Sequence, residues 1–366
     1  MLNDSSQLEL DFFAPQDAAE DDANAVAAAD DFAEGPEQAT DSPSAAEPAD
    51  TVAVFDAADL DSLHNAEASV GKELQLRNKR LIEELRSCGP RRQFLLQDQA
   101  LQNLEALRTE MPHFGEVIDE LSDQVALAHT ARRPLRAQPL LLLGPPGVGK
   151  SHFCNQLADA LGLPTYRLAM DNAQGSSQLA GSASFWSNSQ TGLVFKALAL
   201  GPHISPLMVL DEIDKAPRQS QYDPLASLHG LLEPSTAQHF QDASFALRLD
   251  ARFVLWMATA NSVSELDAPL RSRFSVHAIP APTPEQARRI AASVAREALA
   301  QSGLALEISP ELLDRLAQRT PRQQRQGVER ALGRAVRAGR RVVLAEDLPA
   351  GPAAEPPRRA IGFVPA

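Results

Sequence analysis

Four consecutive leucines, Leu140–Leu143, run without a gap into Gly144-Pro145-Pro146-Gly147-Val148-Gly149-Lys150-Ser151, and the helical pattern SHFCNQLADALGL begins at the last of these residues. This order constrains the fold more than any other feature of the chain. A buried strand must deliver a glycine-rich turn to the N-terminus of a helix, where backbone N–H groups and the positive end of the helix dipole favour an anion. The glycines let the amides turn inward around phosphate. Residues Gly144 to His152, including Pro145, Pro146 and Val148, form the expected nucleotide-binding set. Lys150 would contact the β- and γ-phosphates of ATP, and Ser151 would ligate Mg²⁺.

Sixty residues on, the apolar run LMVL (207–210) ends in Asp211 and Glu212. Carboxylates at the C-terminal edge of a strand lie where open α/β sheets bind ligands. Asp211 is expected to hold the Mg²⁺ shell, and Glu212 to orient and deprotonate the attacking water. A further strand, FVLWMAT (253–259), leads to Asn261, a polar side chain for the water or the γ-phosphate. Together with TYRL (165–168) and 276–279, these runs alternate with helical stretches, the pattern of a parallel sheet covered by helices. The fold class is α/β: a five-stranded parallel sheet in an αβα sandwich, followed by a small helical lid.

Composition divides the rest. Residues 1–70 carry 18 Asp and Glu with no Lys or Arg, against a net charge of −14 for the whole chain. Such a segment has too little apolar area to offset backbone ordering, so it reads as a disordered acidic tail. Within it, LELDFF (8–13) is an apolar island. Leucines at helical spacing make 71–115 a helical segment. The α/β domain is expected at 116–282, the helical lid at 283–348 and a flexible tail at 349–366. Two cysteines, Cys88 and Cys154, provide no disulfide framework and no cysteine-based zinc site. The N-terminus lacks a basic start and an apolar core, and no apolar run approaches membrane-spanning length, so the expected location is the cytoplasm.

These elements in this order resemble the AAA+ family: GPPGVGKS as Walker A, LDEID as Walker B, ATAN as sensor 1, then a lid. Within that family the chain resembles the ATPase module of Lon proteases. The likeness runs from DEIDK through DPLASLHGLLEPSTAQHFQD to FVLWMATAN, with MPHFGEVID similar to the short linker before that module. By that resemblance Arg273, in PLRSRF, is the arginine finger that reaches a neighbouring subunit's γ-phosphate, with Arg271 as the substitute. Arg322, in TPRQQRQGVERAL, takes the sensor 2 position, although a Lon register places Gln326 there and Arg325 is a third candidate. GSASFWSNSQTG aligns with the Lon pore loop, so Phe185 and Trp186 would grip substrate polypeptide. Lon's proteolytic domain, with its Ser-Lys pair, follows the lid, and the chain stops about twenty residues after its own. The resemblance therefore implies an ATPase, a hexameric ring of identical subunits, that remodels or unfolds a protein partner without cleaving it. The eight arginines of 319–341 leave a DNA-linked ATPase as the alternative, and a nucleotide-dependent scaffold is the non-catalytic one.

Overall fold

The structure, a computed structural model, describes residues 50–66, 72–173, 175–184, 189–217 and 223–349. It opens with strand β1 (Thr51–Ala53) and helix α1 (Ala57–Ala66), then α2 (Lys72–Cys88), β2 (Arg91–Gln93), α3 (Ala100–Glu110) and α4 (Gly115–Thr130). β1 pairs antiparallel with β2, Val52 opposite Arg92. The acidic segment expected to remain unfolded to residue 70 thus joins the fold from Asp50 onward. The reason is local. Val52-Ala53-Val54-Phe55 is an apolar run; Val54 and Phe55 are buried in the core, and the Arg92 guanidinium lies 6.0 Å from the centre of the Phe55 ring. Asp50 is also tied to Arg132 at 2.6 Å. Residues 1–49, with the LELDFF island, and most of the expected C-terminal tail lie outside the described residues.

The next elements are β3 (Leu140–Leu143), α5 (Lys150–Leu161), β4 (Thr165–Ala169), β5 (Leu207–Asp211), β6 (Phe240–Asp242), β7 (Phe245–Leu249), β8 (Leu255–Ala260) and β9 (Ser275–Ala278). Five of these strands form one parallel sheet in the order β4-β5-β8-β3-β9. Alternation along the strands splits the core into two layers. Leu141, Met208, Leu210, Trp256 and Ala258 face one cluster, which includes Ile82 and Leu85 of α2. Leu140, Leu142, Leu207, Val209, Leu255 and Met257 face another, built with α3, α4 and α5. α3 shares that cluster with Phe153 and Leu157 of α5, so the boundary expected at residue 115 cuts through a single core. The antiparallel hairpin β6–β7 was not anticipated.

Helices α6 (Pro284–Ser302), α7 (Pro310–Ala317) and α8 (Pro321–Arg337) build the lid with two short strands, β10 (Glu307–Ile308) and β11 (Val342–Val343). α6 and α8 both start with capping boxes, Thr283 with Gln286 and Thr320 with Gln323, and with proline at the first helical position. Their buried faces meet α7 around Ala291, Leu312, Leu316, Val328 and Leu332. β10 pairs parallel with β11, so an extended segment at Glu307 lies within the stretch read from sequence as a helical lid. Among the described residues, no helix is long and apolar enough to cross a membrane.

Candidate nucleotide-binding site

β3 ends at Leu143 and α5 begins at Lys150; the six residues between them turn the chain back over the C-terminal edge of the sheet. Gly147 and Gly149 hold φ of 84° and 100°, a region costly for any residue with a Cβ. At Gly144 the requirement is proximity, since a Cβ there would lie 2.5 Å from the Ile279 carbonyl oxygen. Lys150 is only 8% exposed, and its Nζ donates to the carbonyls of Gly144 (2.7 Å) and Pro145 (3.1 Å) and to Asn261 Oδ1 (3.0 Å). Burial draws the ammonium below its ordinary value of 10.5, against the opposing pull of Asp214, Asp211 and Glu212. A cation held this way by a glycine-rich turn is suited to meeting a polyphosphate.

Asp211 closes β5, and its Oδ1 accepts from Ser151 Oγ at 2.8 Å and from Thr259 Oγ1 at 2.6 Å. Thr259 in turn accepts from the Glu212 N–H at 2.9 Å, which couples β5 to β8. Glu212 has φ 55° and ψ 49°, a left-handed conformation uncommon for this residue type. Lys215 Nζ donates to its Oε2 at 2.7 Å. Asn261 is set by Asp214, whose Oδ2 accepts from the backbone N–H of Asn261 at 3.0 Å. No group of three His, Cys, Asp or Glu able to hold a metal occurs among the described residues. The Ser151 hydroxyl and Asp211 carboxylate fit Mg²⁺ instead, because this ion commonly takes one or two protein oxygens and completes its shell with water and phosphate.

A cavity of about 500 Å³ contains this apparatus. It is lined by Pro146 to His152, Asp211, Glu212 and Asn261, and from the lid by Ile290, Val294, Arg322, Arg325 and Gln326. All three sensor 2 candidates therefore reach it. Arg325 is engaged by Gln301 at 3.1 Å and lies 3.5 Å from Glu297, whereas Arg322 has no side-chain partner among the described residues. The cavity also contains Glu110, Met111, His113 and Thr259, which the sequence reading did not assign. The MPHFGEVID stretch was the one signal for Met111 and His113, and it was read only as a linker.

Arg273 lies elsewhere. It lines a separate cavity of about 790 Å³ with Arg133, Arg136, Arg252 and Trp256. Its Nη1 donates to the Pro269 carbonyl at 2.8 Å, and its Nε is 4.0 Å from Glu233. Within one chain it therefore does not line the nucleotide cavity. Phe185 and Trp186 lie outside the described residues, but the base of their loop is fixed. Asp242 accepts from the Gly192 N–H at 2.7 Å and from Ser244, and Arg77 donates to Ser189 Oγ at 2.6 Å.

Comparison with known proteins bears on the same stretch. The family model described as "ATPase family associated with various cellular activities (AAA)" matches residues 140–280. The Lon protease of Helicobacter pylori is 34% identical over 152 residues, which is 42% of this chain and 18% of that protein. The Lon protease of Phenylobacterium zucineum is 30% identical over 234 residues, 62% of this chain and 29% of its own length. A peroxisomal Lon protease homolog 2 of Spinacia oleracea is 29% identical over 221 residues, covering 59% and 25%. This chain thus spans well under a third of the curated relatives it matches. Among solved structures, the RuvB Holliday junction branch migration motor of Thermotoga maritima is 19% identical with a TM-score of 0.45, over 64% of this chain and 66% of that one.

Proposed function

We propose, from the premise that residues 140–280 are an ATPase domain of the AAA family whose matched region is Lon-like, that the chain couples Mg-ATP hydrolysis to remodelling or unfolding of a protein partner. The observation that carries the reading is the convergence at one sheet edge of Lys150, Ser151, Asp211, Glu212 and Asn261, contributed by one helix and the ends of two strands. Lys150 would leave its carbonyl partners for the β- and γ-phosphates, Ser151 and Asp211 would hold Mg²⁺, and Glu212 would take the proton of the attacking water. The metal, when bound, would supply charge neutralisation. Asn261 orients the water or the γ-phosphate, and Arg322, which lines the cavity and has no side-chain partner among the described residues, meets the phosphates from the lid.

Arg273 lines a cavity separate from the one that holds Lys150, which suits a finger serving a neighbour in a ring of identical subunits. A hexamer acting in the cytoplasm on a polypeptide held by Phe185 and Trp186 is the complete form of the proposal.

Two substitutions test it. Lys150→Ala should abolish ATP binding in calorimetry. Glu212→Gln should bind Mg-ATP with little change while turnover falls about 10²- to 10⁴-fold, and the loaded variant should retain a protein partner. Wild-type turnover in Glu212→Gln would sink the assignment, and strong salt-dependent stimulation of hydrolysis by DNA would replace the protein partner with a nucleic acid.

A further inference from the structure

Arg167 stands in the middle of β4, opposite Val209 of β5 in the parallel register and two residues short of the level of Asp211. Tyr166 and Leu168, on either side of it, pack against the cluster that holds Leu141 and Leu210. Alternation therefore turns Arg167 to the other face, where Val209 packs with Phe153 and Leu157 of α5. β4 is an edge strand, and the Arg167 side chain keeps 38% of its surface exposed. Its Nη2 donates to the Ser151 carbonyl at 2.9 Å and lies 3.7 Å from Asp211 Oδ2. Arg167 does not itself line the nucleotide cavity.

The two oxygens of Asp211 are thereby treated differently. Oδ1 accepts from both Ser151 Oγ and Thr259 Oγ1, whereas Oδ2 accepts no hydrogen bond among the described residues and has the Arg167 guanidinium beside it. A carboxylate with one oxygen held by hydroxyls and the other free of donors is oriented to offer the free oxygen to a cation. Arg167 is a cation already near that oxygen, at a distance too long for a hydrogen bond. Its other contact, the Ser151 carbonyl, belongs to the residue whose hydroxyl would share the metal. One side chain thus bears on both metal-bearing residues from outside the cavity.

We propose that Arg167 is a positioning residue that sets the metal requirement of nucleotide binding: its guanidinium offsets the Asp211 charge before the metal arrives, which lets a metal-free triphosphate approach, and it raises the concentration of Mg²⁺ needed to load the site. The proposal rests on the reading of Ser151 and Asp211 as the Mg²⁺-bearing pair. Two opposite consequences follow from one charge. Asp211 stripped of its neighbouring cation repels a triphosphate that comes without metal, and it attracts a divalent cation more strongly.

Calorimetry of the full chain with ATP, in EDTA and at graded Mg²⁺, reads both consequences through binding alone. In Arg167→Gln the affinity in EDTA should fall about three- to tenfold, while the Mg²⁺ concentration giving half of the metal-dependent gain should also fall about three- to tenfold. Arg167→Lys keeps the charge and should match wild type in both. A merely structural role moves the measures differently, because a displaced Ser151 weakens nucleotide and metal together. Lower affinity in EDTA with a higher Mg²⁺ requirement, or no change in either, would overturn the proposal, and so would a lysine variant that behaves like the glutamine one. Wild-type binding of ATP that is indifferent to Mg²⁺ would overturn the metal reading of Ser151 and Asp211 instead. Should Arg167→Gln not fold, Arg167→Met is the second uncharged variant; if neither folds, the arginine is a structural one and the proposal falls.

Discussion

Glu212 sits in a left-handed conformation at φ 55° just after a strand whose first four residues are buried. Such a backbone costs on the order of 1–3 kcal/mol and persists only where its surroundings enforce it. Here Thr259 Oγ1 receives the Glu212 N–H while donating to Asp211, so one hydroxyl sets both carboxylate-bearing residues. A second buried imidazole makes a prediction at this scale. His203 Nδ1 accepts from the Ser205 N–H at 3.0 Å and its Nε2 faces the Leu95 carbonyl at 3.2 Å, an arrangement open only to the neutral ring. Burial accordingly lowers its affinity for protons from the ordinary 6.5. The unfolded chain then binds more protons than the fold below that value, so stability is full above 6.5 and declines as pH falls through it toward the lower folded value. Denaturant midpoints measured from about pH 8 down to about pH 5 should fall on the acid side. In His203→Gln that decline should be shallower.

Among the elements, β1 and the residues after it deserve the next measurement. A strand of three residues has little stability of its own, yet it carries Val54 and Phe55 into the same cluster as Leu141 and Leu210 of the central sheet. Phe55 is 6% exposed. Its truncation to Ala should cost about 3–5 kcal/mol, as for other buried phenylalanines, seen as a lowered urea midpoint. An unchanged midpoint would mean that the segment rests on the domain without supporting it. The lid helices differ in origin, since each of α6 and α8 is specified locally by a Thr-Pro start and a glutamine at the third position. Gly147 also lies close to the lid, 3.5 Å from the Thr320 side chain to an ideal Cβ, so the start of α8 rests beside the phosphate loop.

For the whole molecule, the separation of Arg273 from the cavity that contains Lys150 makes assembly a condition of activity under the proposed function. Arg273→Ala should bind ATP normally yet lose hydrolysis by about 10³- to 10⁵-fold. Lys150→Ala, inactive alone, keeps an intact finger. A mixture of the two variants should therefore recover turnover that neither shows separately, read by phosphate release against total protein concentration. No recovery at any ratio would place the finger role on another residue.

The glycine-rich turn, the paired carboxylates and the five strands were legible in the sequence because each is a contiguous pattern: an apolar run, a glycine spacing, a strand followed by acids. Register and strand ends shifted by one or two residues, as with β8 starting at Leu255 instead of Phe253. Patterns of this kind report local conformation and little else. Contacts between segments far apart in the chain were decided only by the tertiary structure: the pairing of Thr51–Ala53 with Arg91–Gln93, the Thr259 bridge between Asp211 and Glu212, the freedom of Arg322 beside the engaged Arg325, and His113 against Val148. Each depends on two segments meeting with a particular atom facing a particular atom. No composition or spacing within either segment encodes that meeting, since it arises when the sheet and its covering helices bury their apolar faces together.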